Sequence, residues 1–428
     1  MDERTAARSI DPERAPGFER PLTRRRFLVA GGCLGLAGAA SSRIPLRGID
    51  RPVGDGSTDV VERPTVVVFN TGDGSVTVID VETDEAIATV PIGLTASFPS
   101  NQFSPRLVET ADDLLWCNVD DGVRAVSIGS LEPATGLETG SGANWQELTP
   151  DGTYLVVSAR EPIHRQYRID ADPTAERFGE VTGEIDRRPE GGRDEHDGPG
   201  PCDVTVHPNG RYAYVPDLYG DTLTVVDVES FEIDAQIDVE PTDDGEPPAP
   251  YMATAAWDGE HLLVENDGGE SGSESIWDVT DPAAPVEVAR LGPDDGLGDS
   301  PLTSEIGPDA DVGYVFTPGT DDVSVVDLAA RTVVDRLDLG GSAFTGTWDP
   351  AREKLYVPVQ TTDTVAVIDA GTRTVVTTIE VGDAPYGATA ARLRPADRVI
   401  EGVRSSNGRS LEYETTFCRV ECACGTDC

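Results

Sequence analysis

Residues 207–228 read HPNGRYAYVPDLYGDTLTVVDV, and most of the chain is built on variations of this stretch. Pro208, Asn209 and Gly210 make a tight turn, because proline presets φ and the next two residues tolerate φ > 0. Residues 211–216 are β-formers with apolar side chains and read as a strand. Residues 218–221 make a second turn. Residues 223–228 are a β-branched run containing Asp227, whose short carboxylate can bond backbone amides just beyond it and fix the bend. One such unit cannot bury both faces of its sheet, so it needs neighbours of the same shape.

The chain supplies them. The strand with a terminal acid recurs as VTVID (76–80), LTVVD (223–227), VSVVD (323–327) and VAVID (365–369), and less cleanly as VRAVS (123–127), QYRID (166–170) and SIWD (275–278). From Asp80 to Asp369 the repeat averages about 48 residues. An apolar strand precedes each copy, as in TVVVFN (65–70), HLLVEN (261–266) and LYVPVQ (355–360), and tight polar turns such as TPDG (149–152) and WDPA (348–351) precede most of those. A third strand follows each acid, as in EAIATVPIG (85–93), and then an Ala/Thr-rich fourth, as in CDVTVH (202–207), YMATAAW (251–257), FTGTW (344–348) and YGATAAR (386–392). Four strands in each of seven units predict an all-β fold, a seven-bladed β-propeller over 65–395, with no helix outside the N-terminal segment. The strand at 65 is a second-position strand. The last Ala/Thr-rich strand, 386–392, should therefore return to blade one as its innermost strand, closing the ring and removing its bare edges.

The stretches TVVVFNTGDGSVTVIDVETDEAIATVPIG (65–93) and KLYVPVQTTDTVAVIDAGTRTVVTTIEVGDAPYG (354–387) resemble the YVTN family of β-propeller repeats. The resemblance extends over about 330 residues and is most legible in repeats one, four, six and seven. It implies the propeller fold but no single function, because propellers host many. Relatives by fold include cell-surface and secreted binding proteins, a sugar-lactone hydrolase, and the cofactor-bearing propellers of nitrite reductase and amine dehydrogenase.

Acidic residues outnumber basic ones 78 to 33 across 428 residues, for a net charge of −45, and Lys354 is the single lysine. Short hydrated carboxylates in place of long lysine stems suit a protein bathed in molar salt, where screening removes the self-repulsion. We read an extreme halophile, archaeal in type. A disordered acidic chain is disfavoured by the 38% hydrophobic content and the regular pattern. The same charge argues against a nucleic-acid partner, since phosphate binding needs Lys and Arg clusters.

Residues 1–40 read as an export signal. In LTRRRFLVAGGCLGLAGAA (22–40), Arg24 and Arg25 followed by Phe27 and Leu28 resemble the twin-arginine signal, and the apolar run is too short and glycine-rich for a good membrane span. Cys33 resembles a lipoprotein processing site and could carry a lipid anchor. Membrane contact is expected only through these features. Residues 41–64 read as a linker, and the protein is expected outside the cell or on its surface.

Connections on one face of the propeller are long and variable, and those on the other are tight. Function on a β scaffold sits on loops, so the decorated face is the expected functional face. Its channel mouth should be lined by Asn101, Gln102, Asn144, Trp145, Gln146, Cys202, Asp203, Tyr251, Met252, Thr303, Glu305, Phe344, Thr345 and Tyr386. Amides, carboxylates and aromatic rings converging on an axis suit a small polar ligand, or a protein partner docked over them.

The remaining chemistry is sparse. His196 and Cys202 in DEHDGPGPCD, with Asp203, could ligate copper or zinc, but their spacing matches no metal motif and the plain reading is a loop histidine and a half-buried thiol. His164, His207 and His261 read as structural. No nucleophile elbow, His-Glu-x-x-His, P-loop or haem-attachment motif occurs. The acidic stretches ENDGGESGSE (265–274) and GPDDGLGD (292–299) could hold Ca²⁺, but without an alternating Asp/Asn pattern they read as solvated surface. In the tail, 396–428, Cys418, Cys422, Cys424 and Cys428 could enclose Zn²⁺ or Cu(I) or form two disulfides, and an exported location favours disulfides. The reading that results is an exported binding module. The alternatives are a propeller enzyme (a lactone hydrolase, or a metal- or haem-dependent oxidoreductase subunit) and a structural surface-layer component.

Overall fold

Asp227 ends its strand as its position suggests: Oδ1 accepts the amides of Glu229 at 3.1 Å and Ser230 at 2.9 Å. Asp80, Asp278, Asp327 and Asp369 bond the amides of Glu82, Thr280, Ala330 and Thr372 in the same way. The turn at 207–210 is closed by the Gly210 amide on the His207 carbonyl at 2.8 Å, with Gly210 at φ +72°. These local bends force successive strands antiparallel, and each unit becomes one sheet.

The computed structural model describes residues 60–92, 113–119, 122–242 and 244–405. Arg24, Arg25, Cys33, Asn101, Gln102, Cys418, Cys422, Cys424 and Cys428 lie outside the described residues, as does the export segment. Seven antiparallel sheets form the blades. Blade one combines Pro385–Pro395, Val60–Asn70, Ser75–Asp80 and Glu85–Pro91, from inside to outside. Blade two shows Leu114–Val119, Gly122–Ser127 and Pro133–Glu138; the segment before them falls outside the described residues. Blade three runs from Asn144–Leu148 to Val181–Asp186, blade four from Thr205–Val206 to Glu232–Asp238, and blade five from Pro250–Ala255 to Val286–Leu291. Blades six and seven run from Thr303–Ile306 to Thr332–Asp338 and from Thr347–Trp348 to Thr374–Glu380.

The ring closes as the repeat phase requires. Val66, Val67 and Val68 pair with Ala390, Thr389 and Ala388 across more than three hundred residues of sequence. The middle strands are buried on both faces between neighbouring blades, and the outer strands alternate exposed and half-buried, as in Glu232–Asp238. In blades one, four, five and six the decorated-face hairpin touches the loop leading to its own inner strand. Thr71 bonds Ala384, Tyr219 bonds Pro199, Gly268 bonds Pro248, and Gly319 bonds Asp299. The two variable loop sets therefore share a face.

Three expectations are corrected. The first strand begins at Val60, inside the expected linker, because the long strand Pro385–Pro395 offers it a partner there: Val60 pairs with Pro395. The inner strands of blades four and seven shrink to Thr205–Val206 and Thr347–Trp348, with isolated bridges at Pro201 and Ala343. Pro201 offers no amide to a ladder, and Gly346 lies so close to the Leu355 and Phe316 side chains that a Cβ there would sit 2.9 Å from each. Finally, a helix, Asp397–Ser405, follows the closing strand and buries Ile400 in the apolar cluster shared by blades one to three. Nine residues with few apolar positions are too short for a helical period to stand out.

A chain ending at residue 384 would leave the Val60–Asn70 edge bare. We expect it to lose cooperative thermal unfolding and to aggregate in molar salt, measured by circular dichroism and size-exclusion chromatography, whereas a chain ending at 396 keeps the ring and stays monodisperse.

Candidate functional site

The innermost strands expose backbone edges that no strand within their own blade covers. Side chains of these strands and their approaches, the expected Asp203, Tyr251 and Thr303 and the unexpected Glu147 and Thr254, bond those edges across blades. Asp203 Oδ2 accepts the Ala253 amide at 2.9 Å, and Glu147 Oε2 accepts the Val206 amide at 2.9 Å. Thr254 donates to the Ser304 carbonyl at 2.8 Å, Thr303 to the Phe344 carbonyl, and the Tyr251 hydroxyl to the Pro301 carbonyl. Asn144 serves its own turn: Nδ2 donates to the Ser141 carbonyl at 2.6 Å and Oδ1 accepts the Thr139 hydroxyl at 2.7 Å.

The apolar members meet in one buried cluster. Cys202, Leu218, Tyr251, Met252, Phe344 and Tyr386 pack together, with Trp145 and Tyr219 half-buried at its margin. The Phe344 and Tyr386 rings lie 5.2 Å apart. Three buried carboxyl groups gather nearby. Burial above all, with the neighbouring Asp203 and Glu305, pushes Glu147 well above the ordinary carboxylate range. Gln146 is buried with its side-chain oxygen unpartnered.

Beside this cluster the insert between blades three and four is held by arginines that sequence reading did not single out. Arg187 is fully buried, bonding Glu190 at 2.7 Å, Asp217 Oδ2 at 2.9 Å and Thr224 at 2.9 Å. Burial disfavours its charge, but Asp217 and Glu190 more than offset this and raise its pKa. Asp217 is equally buried, which pushes its carboxyl up against the pull of Arg187 and two threonines. Arg193 donates to Asp221 at 2.5 Å and, through its own amide, to the Tyr219 carbonyl at 2.8 Å. Tyr219 then carries exposed His196 flat against its ring, with centroids 3.6 Å apart and 7° between planes.

His196 and Cys202 therefore have different neighbours. Cys202 is buried beside Arg160, whose Nη1 lies 3.5 Å from its sulfur, whereas His196 is on the surface. Among the described residues, no three His, Cys, Asp or Glu side chains are grouped as a metal ion would require. His164 has a structural job: Nδ1 accepts the Gly200 amide at 3.3 Å, and burial lowers its pKa, keeping that nitrogen free to accept. His207 Nδ1 likewise accepts the Asn209 amide inside its turn.

The stretch 265–274 departs most from its reading as solvated surface. Glu265 and Glu274 are both fully buried, and they stand directly opposite each other in the antiparallel register. None of their four oxygens receives a well-formed hydrogen bond, and the one side-chain donor that acts on Glu265 is the Ser304 hydroxyl. At this rung the sister blades place Phe69 with Val76, Pro216 with Leu223, Phe316 with Val323, and Pro358 with Val365. Burial pushes Glu265 to about 8, and burial together with Glu265 raises Glu274 well above the ordinary range. The signal was in the sequence: in HLLVEN, Glu265 occupies the column of Phe69 in TVVVFN.

No family model matches the chain and no curated protein matches it. Solved structures do. A periplasmic gluconolactonase of Pseudomonas aeruginosa superposes with a TM-score of 0.59 at 16% identity, covering 77% of this chain and 99% of that one. A putative 6-phosphogluconolactonase of Bacteroides fragilis gives 0.59 at 15% identity, over 80% and 100% of the two chains. A Lactobacillus plantarum protein gives 0.61 at 14% identity, over 77% and 99%. At these identities the likeness establishes the seven-bladed propeller fold.

Two outcomes are expected. Arg187→Ala strands Asp217 without its counter-charge and should cost about 3–5 kcal/mol in denaturant unfolding, whereas Arg187→Met with Asp217→Leu should recover most of it. With divalent cations chelated, the raised Glu265 pKa gives a stability term that is full below the ordinary carboxylate range and is lost as pH rises to about 8. Thermal unfolding of wild type should show that fall, and Glu265→Gln with Glu274→Gln should remove it.

Proposed function

We propose that the chain is an exported, salt-adapted propeller of the YVTN type that binds a small polar ligand on its decorated face. The observation that carries this reading is the aromatic ledge on that face. Exposed His196 stacked on Tyr219, with half-buried Trp145, borders one buried aromatic cluster, and arginine–carboxylate pairs hold the insert rigid. A rigid ledge of flat rings beside hydrogen-bonding groups suits a ring-shaped polar molecule, at little entropic cost on binding. The arginine pair at 24–25 supports export, and the net charge of −45 supports a high-salt medium. A docked protein remains within the same reading, because the ledge is open to solvent.

A second reading, a lactone hydrolase, is favoured by Glu147, Asp203 and Glu305 together with the two structural neighbours named for gluconolactone chemistry. A carboxyl group held above its ordinary range keeps its proton to higher pH than a surface acid and can donate it in a reaction. Sugar acids and sugar lactones presented to the mature protein in molar salt separate the two. Saturable binding by calorimetry, without acid release, and weakened at least tenfold by Tyr219→Ala, is the expected result. Lactone-dependent acid release that disappears in Glu147→Gln would replace binding with hydrolysis as the function.

A further inference from the structure

We infer that Glu265 and Glu274, together with the Ser304 hydroxyl, form a calcium site between blades five and six. The argument starts from electrostatics. Two carboxyl groups facing each other across a sheet rung, with side chains about 5 Å apart at their roots, cannot both ionise in a dry interior without a counter-charge. A protein usually supplies an arginine or lysine. Among the described residues no arginine or lysine bonds either carboxyl: Arg290 of the same blade is committed to Glu287 at 2.8 Å and Ser275 at 3.2 Å, and Lys354 is bonded to Asp84 at 2.6 Å. The next titratable group facing Glu265 is Asp203, which adds repulsion.

A second, independent group points into the same place. Ser304, on the inner strand of blade six, is buried, and its hydroxyl faces Glu265, lowering that carboxyl's pKa against burial, with no well-formed hydrogen bond of its own. Its backbone carbonyl is already taken by Thr254 at 2.8 Å, so its strand is fixed in position. Four carboxylate oxygens and one hydroxyl are hard donors with a combined charge of minus two, matched by one divalent cation. Calcium takes six to eight oxygens in flexible geometry and accepts bidentate carboxylates, leaving room for water or a carbonyl, whereas magnesium demands a strict octahedron and gives up its water reluctantly. Zinc and copper would require the nitrogen and sulfur donors that these side chains lack.

The two carboxyl groups that blade five places at this rung are then explained. Apolar pairs at the same rung pack blades one, four, six and seven without any ion. Blade five substitutes an ionic staple, whose strength depends on the medium. Because a carboxyl group must give up its proton to ligate a cation, calcium affinity at this pair rises with pH.

Calorimetric titration of the full chain with CaCl₂ in molar KCl, near neutrality and again near pH 8.5, tests this, with MgCl₂ as the comparison. Expected are a single calcium per chain, tighter binding at the higher pH, and a rise of several degrees in the unfolding midpoint. Glu265→Gln with Glu274→Gln should abolish all three. Glu265→Phe with Glu274→Val, which copies the Phe316 and Val323 rung of blade six, should fold stably and ignore calcium. No stoichiometric calcium binding by wild type would overturn the assignment and leave protons as the occupants. Undiminished binding by the glutamine variant would equally overturn it and place calcium on the acidic surface.

Discussion

A propeller blade has one edge that its own strands never cover. The inner strand faces the axis and leaves amides and carbonyls to be bonded by something else, or wetted. In this chain the answer is side chains borrowed from the neighbouring blade. Asp203 serves Ala253, Glu147 serves Val206, and Thr254 serves Ser304. These bonds tie blade to blade, and the closing strand Pro385–Pro395 ties the last repeat to the first. The polar residues near the axis are therefore committed to holding the ring together. What is left for a ligand is displaced outward, to the margin where Trp145, Tyr219 and His196 stand.

That displacement explains which parts of the molecule could be read from its sequence. The strand ending in an acid is a local device, since Asp227 bonds amides two and three residues on, and local devices repeat visibly. Six copies of it and a seventh that ends in Ser127, with their phase, mark the blade count and the closure. The inner strands were legible as Ala/Thr-rich stretches, but not the work of their polar residues. Asn144, Asp203 and Thr303 were read as open to a ligand because a sequence shows a side chain's chemistry and not its partner. Asp203 and Thr303 find their partners in the next blade, fifty and forty-one residues away, and Asn144 finds its own in the loop just before it. The helix Asp397–Ser405 escaped notice for the opposite reason: its stability comes from Ile400 on the apolar cluster of other blades, a tertiary contact without a local signature.

Charge was the least legible property. A net charge of −45 invites the view that every acidic stretch is solvated surface, and for most of the outer strands that view holds. It fails where position overrides composition. Glu265 and Glu274 stand in a register that blades one, four, six and seven fill with apolar residues, and the register decides their burial. Arg187 and Asp217 are hidden by the same logic, because the insert that carries Arg187 folds back over the blade-four hairpin.

The two buried charge sites differ in a way that bears on how the molecule responds to its surroundings. Arg187 and Asp217 neutralise each other, and Thr222, Thr224 and Glu190 satisfy most of what remains. Such a site carries its own counter-charge, although Arg187 Nη1 and Asp217 Oδ1 are left without a hydrogen-bond partner, and salt reaches it weakly because no solvent separates the ion pair. Glu265 and Glu274 lack an internal counter-charge, so their state is set by what the medium provides. Protons occupy them at low pH, and a cation must do so once the pH passes the range to which burial has raised them. Burying an incomplete site at the interface of two blades makes the stability of that interface a function of the solution. The rest of the ring, stapled by apolar rungs and completed ion pairs, is insulated from it. A protein that carries most of its charge on the outside thus keeps one place inside where the composition of the medium is felt by the fold.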